Sequence, residues 1–202
     1  MLSTTPLALP IPSTLSFSIT YLNMLLLTLA VVIAAAAQAS GFKIPKNQPD
    51  GVYIVTVDAG GTEEHIRIGD SGNVPTVNIK ETHDKALQEP NRIQCFNQHM
   101  VLNAANTDAA NNALDVQCGS YLGVDGNKSI YSKSGCVVAY YCNWNSNSCD
   151  VPTRQLFSAK ITDRCGRYIP GTATFDDQQR THFAYGYRDV CEPQSGDDFC
   201  GY

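Results

Sequence analysis

Hydrophobic and polar positions divide this chain into a smooth apolar opening and a patterned remainder. No charged residue stands between Met1 and Phe42. Within that stretch the apolar block Leu25 to Ala37 has the length of a signal h-region and falls short of the roughly 20 residues a membrane span needs. Ala37-Gln38-Ala39 follows as a small-x-small cleavage pattern, so residues 1–39 read as a signal peptide with the mature chain starting near Ser40, and no stable membrane anchor is expected. Met24 directly precedes the apolar block and offers an alternative translation start.

Beyond the leader the pattern becomes that of a mixed fold. Val52 to Asp58 is rich in β-branched and aromatic residues, Ala59-Gly60-Gly61-Thr62 can turn the chain, and Glu63 to Ile68 alternates charged with apolar positions: a β-hairpin. Gly69 to Asn91 is polar and turn-rich and reads as a long surface connection. Asn106 or Thr107 can cap a helix with Ala109, Ala110, Ala113, Leu114 and Cys118 at helical spacing and Gly119 as its stop. Val137 to Tyr141 is the most apolar run of the mature chain and reads as a central strand. Asp150 and Pro152 start a second helix, with Leu156, Ile161 and Cys165 inward and Gly166 at its end. Tyr168 to Phe175 and His182 to Arg188 complete the set as strands. This order predicts an α+β fold, an antiparallel sheet with two helices on one face.

Cysteine usage sharpens the picture. Residues 40–94 contain none, whereas residues 95–202 hold all eight: Cys95, Cys118, Cys136, Cys142, Cys149, Cys165, Cys191 and Cys200. The mature chain therefore divides into a cysteine-free segment carrying the hairpin and a disulfide-rich α+β domain, the former expected to be the more dispensable for folding. An even count behind an export leader implies disulfides and an extracellular location. Two pairings fail on geometry. Cys136 and Cys142 at the ends of one strand lie about 20 Å apart, and Cys149 and Cys165 at the ends of one helix about 24 Å, both far beyond the Cα separation of roughly 7 Å that a disulfide tolerates. Roughly 78 of the 105 possible pairings remain open.

With 14 Lys and Arg against 19 Asp and Glu, the net charge is −5, which argues against nucleic acid as a partner. No C-x-x-C and no close histidine pair supports a metal site, and no cofactor motif is present. Asn127-Lys128-Ser129 is a glycosylation sequon in a turn-like stretch, making Asn127 a candidate glycan acceptor. The densest group of functional side chains is His182 to Arg188. On a strand His182 and Arg188 share a face, and with Glu63 or Glu64 they sketch a small secreted ribonuclease; the simpler reading places Phe183, Tyr185 and Tyr187 in the core and leaves the other face solvated. No catalytic residue is assigned.

The string Gly135-Cys136-Val137-Val138-Ala139-Tyr140-Tyr141-Cys142-Asn143, the helix from Cys149 to Cys165-Gly166, and Tyr185-Gly186-Tyr187 ahead of Cys191 resemble small secreted cysteine-rich fungal proteins of the effector kind. More distantly they are similar to the killer-toxin-like α/β sandwiches. The likeness spans Cys95 to Cys191. It implies an extracellular, non-enzymatic protein that binds a host or cell-surface protein or glycan, and it carries no functional residue beyond the cysteine framework. The acidic charge and the cysteine-free segment depart from the channel-blocking toxins. A competing likeness lies in Lys160-Ile161-Thr162-Asp163-Arg164-Cys165, which resembles the strand around the functional aspartate of expansin or barwin-like barrels; that view needs residues 151–165 to be extended. For a binding protein, Trp144 is the leading contact residue, the sole tryptophan in a polar loop between two cysteines, with Tyr140, Tyr141, Tyr185 and Tyr187 as further contacts wherever they are exposed.

Overall fold

The Val52 to Asp58 run forms strand β1 (Gly51–Val57) and its return forms β2 (Glu63–Gly69) in a computed structural model that describes residues 41–71, 88–119, 122–126, 128–145, 147–178, 182–192 and 198–201. The leader, most of the polar connection after Gly69 and the candidate glycan acceptor Asn127 lie outside the described residues. Strands β3 (Arg92–Cys95), β5 (Lys128–Ser134), β6 (Val137–Asn143), β8 (Gly171–Asp176) and β9 (His182–Asp189) join the hairpin in one antiparallel sheet, in the order β2-β1-β5-β6-β9-β8-β3. Helices α1 (Ala104–Cys118) and α2 (Val151–Cys165) both pack on one face. The short strands β4 (Leu122–Gly123) and β7 (Ser148–Cys149) pair with each other. The chain is thus a disulfide-stapled α+β sandwich.

Strand β6 occupies the centre of the seven, and every one of its residues is buried. Alternation along it explains the two layers: Val137, Ala139 and Tyr141 face the helices, while Val138, Tyr140 and Cys142 belong to a second cluster on the opposite face. On the helix side α1 contributes Ala110, Ala113 and Leu114, and α2 contributes Phe157 and Ile161. Phe157 takes the fully buried place in the inner stripe of α2 that Leu156 was expected to fill, and Leu156 is only partly buried. Phe157 stacks on Phe183 at 5.4 Å and meets Tyr185 edge-on at 5.4 Å.

Local chemistry sets the helix ends. Asp150 caps α2, its carboxylate accepting from the Thr153 amide at 2.8 Å, and the amide of Gly166 closes the helix onto the Thr162 carbonyl. Helix α1 starts earlier than Asn106 or Thr107 would allow, because Asn103 is the cap and its side chain accepts from the Asn106 amide at 3.0 Å. Strand β8 starts later than expected. Tyr168 adopts a left-handed φ of 60° and stays in the turn, where its hydroxyl donates to Asp108.

The disulfides Cys95–Cys165, Cys118–Cys149, Cys136–Cys191 and Cys142–Cys200 use all eight cysteines. Neither of the two geometrically excluded pairs occurs. Cys118–Cys149 ties the end of α1 to the start of α2, Cys95–Cys165 ties the end of α2 to an edge strand, and Cys142–Cys200 fastens the C-terminal residues to the central strand. Such cross-links typically stabilise by about 2–4 kcal/mol each, chiefly by restricting the unfolded chain.

The cysteine-free segment is not peripheral. Ala39–Tyr202 forms one compact unit, and β1 lies inside the sheet, paired with β5 from Gly51 through Thr56. Phe42 crosses the outer face and forms a β-bridge with Phe199. It stacks between Tyr131 and Phe199 at 5.6 Å each, and Tyr131 stacks in turn on Tyr53 at 5.0 Å. This aromatic column covers the β1-β5-β6 half of the outer face. The half formed by β6, β9, β8 and β3 carries the cleft described next.

Candidate binding cleft

Two rows of side chains run across four strands on that half-face. Gln94, Thr172, Gly186 and Tyr140 are successive antiparallel partners, and so are Arg92, Thr174, Ala184 and Cys142. In both rows β9 supplies almost no side chain, only Gly186 and Ala184, so a trough opens between taller neighbours. The result is a cleft of about 220 Å³, with Trp144 towards one end and Phe96 and Arg188 towards the other. Its wall is the C-terminal strap, Asp198, Cys200 and Gly201, held in place by the Cys142–Cys200 bridge.

Tyr140 makes the floor by lying flat across β9, its hydroxyl hydrogen-bonded to the Thr172 hydroxyl on the strand beyond. Only glycine permits this. A Cβ at Gly186 would sit 2.5 Å from the Tyr140 hydroxyl and 2.7 Å from the Gly171 carbonyl oxygen. Gly186→Ala is therefore expected to cost about 1–3 kcal/mol through overpacking, read as a lowered melting temperature. A variant melting with the wild type would mean that Tyr140 can vacate the floor freely.

At the far end Arg188 lies under two rings, its guanidinium carbon 4.3 Å from the Phe96 centroid and 5.1 Å from that of Phe199, and it donates to the Asp198 carbonyl at 3.2 Å. Burial pushes the Asp198 carboxyl above its ordinary range, opposed by Lys43 and Arg188. Burial likewise raises the Tyr140 hydroxyl, so it remains a neutral donor at physiological pH. At the near end Trp144 is half-buried and stacks on the His182 ring at 4.1 Å and 26°. Burial lowers the His182 pKa, with Arg92 acting in the same direction and Asp176 against it, so this imidazole is predominantly neutral at pH 7.

The alternation on β9 falls as the sequence implies, with Phe183, Tyr185 and Tyr187 in the helix-side core and His182 and Arg188 on the other face. The ribonuclease constellation is not assembled, however. His182 and Arg188 are six residues apart, roughly 20 Å along the strand, and Glu63 lies on β2, four strands and roughly 19 Å away. Glu63 is engaged locally, receiving the Lys43 amide at 3.0 Å and meeting His65 Nε2 at 3.2 Å, while His65 Nδ1 meets the Tyr131 hydroxyl. Glu64 sits next to Glu63 on the same remote strand. Asp163 is exposed on α2, and because residues 151–165 are helical, the extended geometry of the barrel reading is absent. Tyr140, Tyr141, Tyr185 and Tyr187 are core residues at most 4 % exposed, which removes Tyr141, Tyr185 and Tyr187 as surface contacts and leaves Tyr140 only its place in the cleft floor. Among the described residues no group of three His, Cys, Asp or Glu side chains is placed to hold a metal ion, and no helix is long and apolar enough to cross a membrane. Arg92 and Gln94 carry no signal in the sequence because β3 is a four-residue edge strand without periodicity, and Phe96 follows directly after it.

No protein-family model, curated protein or solved structure matches this chain.

Proposed function

We propose that this is a secreted binding protein of the effector kind, acting without turnover on a host or cell-surface target that it meets through the cleft beside Trp144. The apolar leader and four disulfides favour export to an oxidising compartment. One observation carries the reading: side chains from four strands and a loop converge on a trough with a cross-linked wall and a hydrogen-bonded floor. A site so braced loses little conformational entropy on association, which favours affinity. Its described lining holds no histidine, no serine and no free thiol.

The test is capture of surface components by the oxidised mature chain, compared with Trp144→Ala. Trp144 is half-buried, so its truncation is expected to cost on the order of 1 kcal/mol, or about 2–4 °C in melting temperature, while weakening capture about tenfold or more. Undiminished capture by a folded Trp144→Ala protein would move the binding surface elsewhere. Hydrolysis of RNA or glycan that disappears in His182→Ala or Asp163→Ala would replace the reading with an enzymatic one.

A further inference from the structure

We infer that the ligand of the cleft is an acidic saccharide, one or two rings of a carboxylate-bearing glycan; this rests on the cleft being the binding site. Its polar lining combines two guanidiniums, which only donate, with amide and hydroxyl groups that donate or accept. Arg92 brings a guanidinium to the exposed rim, Gln94 an amide, Thr172 and Thr174 hydroxyls, and Arg188 a second guanidinium fixed at the far end. The one carboxylate in the described lining, Asp198, belongs to the strap at the Arg188 end, where Arg188 donates to its backbone carbonyl. A net-acidic protein thus lines this cleft with two arginines, which selects a ligand rich in acceptors and negative in charge.

Shape narrows the class. At about 220 Å³ the cleft is smaller than the roughly 300–1,000 Å³ of sites for drug-sized ligands, so it takes a short unit. Trp144 provides a flat apolar wall at one end, already braced from behind by His182, and such a surface suits the C–H face of a pyranose ring. Between Trp144 and Phe96 the floor is Thr172, Thr174, Ala184 and the Tyr140 hydroxyl, shallow and polar. It offers no deep apolar hole for the side-chain anchors by which peptides are selected.

Trp144 is the only tryptophan in the chain, so its emission reports occupancy of this cleft alone. The oxidised mature protein would be titrated with a trimer of galacturonic acid, a neutral glucose trimer and a tetraglutamate peptide, following tryptophan fluorescence. The expected result is saturable change with the acidic trimer, at least tenfold weaker response to the neutral one, weakening at 0.5 M salt and a further tenfold loss in Arg92→Gln. Lys128→Gln removes the same charge from a residue paired with Asp125, away from the cleft, and is expected to leave the titration unchanged. Equal responses to the acidic and neutral trimers overturn the charge selection, and preference for tetraglutamate overturns the saccharide assignment. If no trimer responds while a cell-surface extract still perturbs Trp144, the saccharide inference fails and the binding-cleft reading stands. If the extract is also silent, both fail.

Discussion

A chain beginning at Asn91 is expected not to fold, even though it keeps all eight cysteines. Strand β1 pairs with β5 over six positions and places Val52 in the helix-side core and Tyr53 and Val55 in the outer cluster. Removing it also strips Phe42 from its stack with Tyr131 and Phe199. At about 1.5–3 kcal/mol for each fully buried large side chain, those four residues alone account for roughly 6–12 kcal/mol, comparable to the total stability of a typical domain, about 5–15 kcal/mol. Disulfides do not compensate. They restrict the unfolded chain but leave Ile130 and Tyr131, both fully buried in the intact protein, at an uncovered sheet edge. Oxidised material from the truncated chain is expected to show scrambled disulfides and no cooperative melt. A truncated protein with native pairing and a sharp transition would show that the hairpin is an accessory to a self-sufficient core.

Why the cysteine-free segment looks separable in sequence and is not separable in space follows from β5. Lys128-Ser129-Ile130-Tyr131-Ser132-Lys133-Ser134 contains five polar residues of seven and has no hydrophobic run, yet it is the strand that joins β1 to β6. Its polarity is tolerated by specific means. The Lys133 ammonium reaches the Asp50 carboxylate at 2.9 Å while its stem stays covered, whereas the fully buried Ser132 hydroxyl has no hydrogen-bond partner among the described residues and is a cost the strand carries. By contrast β6 is legible from its continuous apolar run, which burial on both faces demands, and β9 from the alternation of aromatic residues towards the helices with small or polar ones on the other face. Helix stops at Gly119 and Gly166 were legible for the same local reason.

The cleft belongs to a different level. Its chemistry comes from residues as distant in sequence as Arg92 and Gly201, and its depth comes from Gly186 and Ala184 standing in register with threonines on β8. Hydrophobic periodicity carries no information about cross-strand register on a polar face, so only Trp144, singled out by its rarity, could be found from sequence. The same limit hid the closest ionic contact between the helices. Asp115 and Arg154 are 39 residues apart, and each reads as one polar residue on a helix.

Replacing Arg154 with methionine is expected to be the most damaging single change to the core. Its guanidinium bonds both carboxylate oxygens of Asp115, and it also donates to Ser158 at 3.2 Å and Asn111 at 3.4 Å, with Arg154 and Asp115 each 8 % exposed. Burial already pushes the Asp115 carboxyl above its ordinary range, against the pull of Arg154 and Gln155. Without the arginine an uncompensated charge remains between two helices, a defect that costs about 3–5 kcal/mol and, in a domain of this size, about 6–20 °C in melting temperature. The loss has a definite pH dependence. With its pKa raised further, Asp115 holds a proton in the folded state that it has released in the unfolded state, so stability falls as pH rises from the unfolded value near 3.9 through the folded one. The variant is therefore expected to be weakest at neutral pH and to recover towards the wild type as the solution is acidified to about pH 4. Adding Asp115→Leu removes the orphaned charge and should restore most of the loss at pH 7, since an apolar pair of similar volume replaces a buried ion pair at little cost. Melting curves for the single and double variants between pH 4 and 7 decide the matter: a single variant whose deficit is independent of pH, or a double variant no better than the single, would mean that the helices are held by the packing of the Arg154 stem and not by the pair.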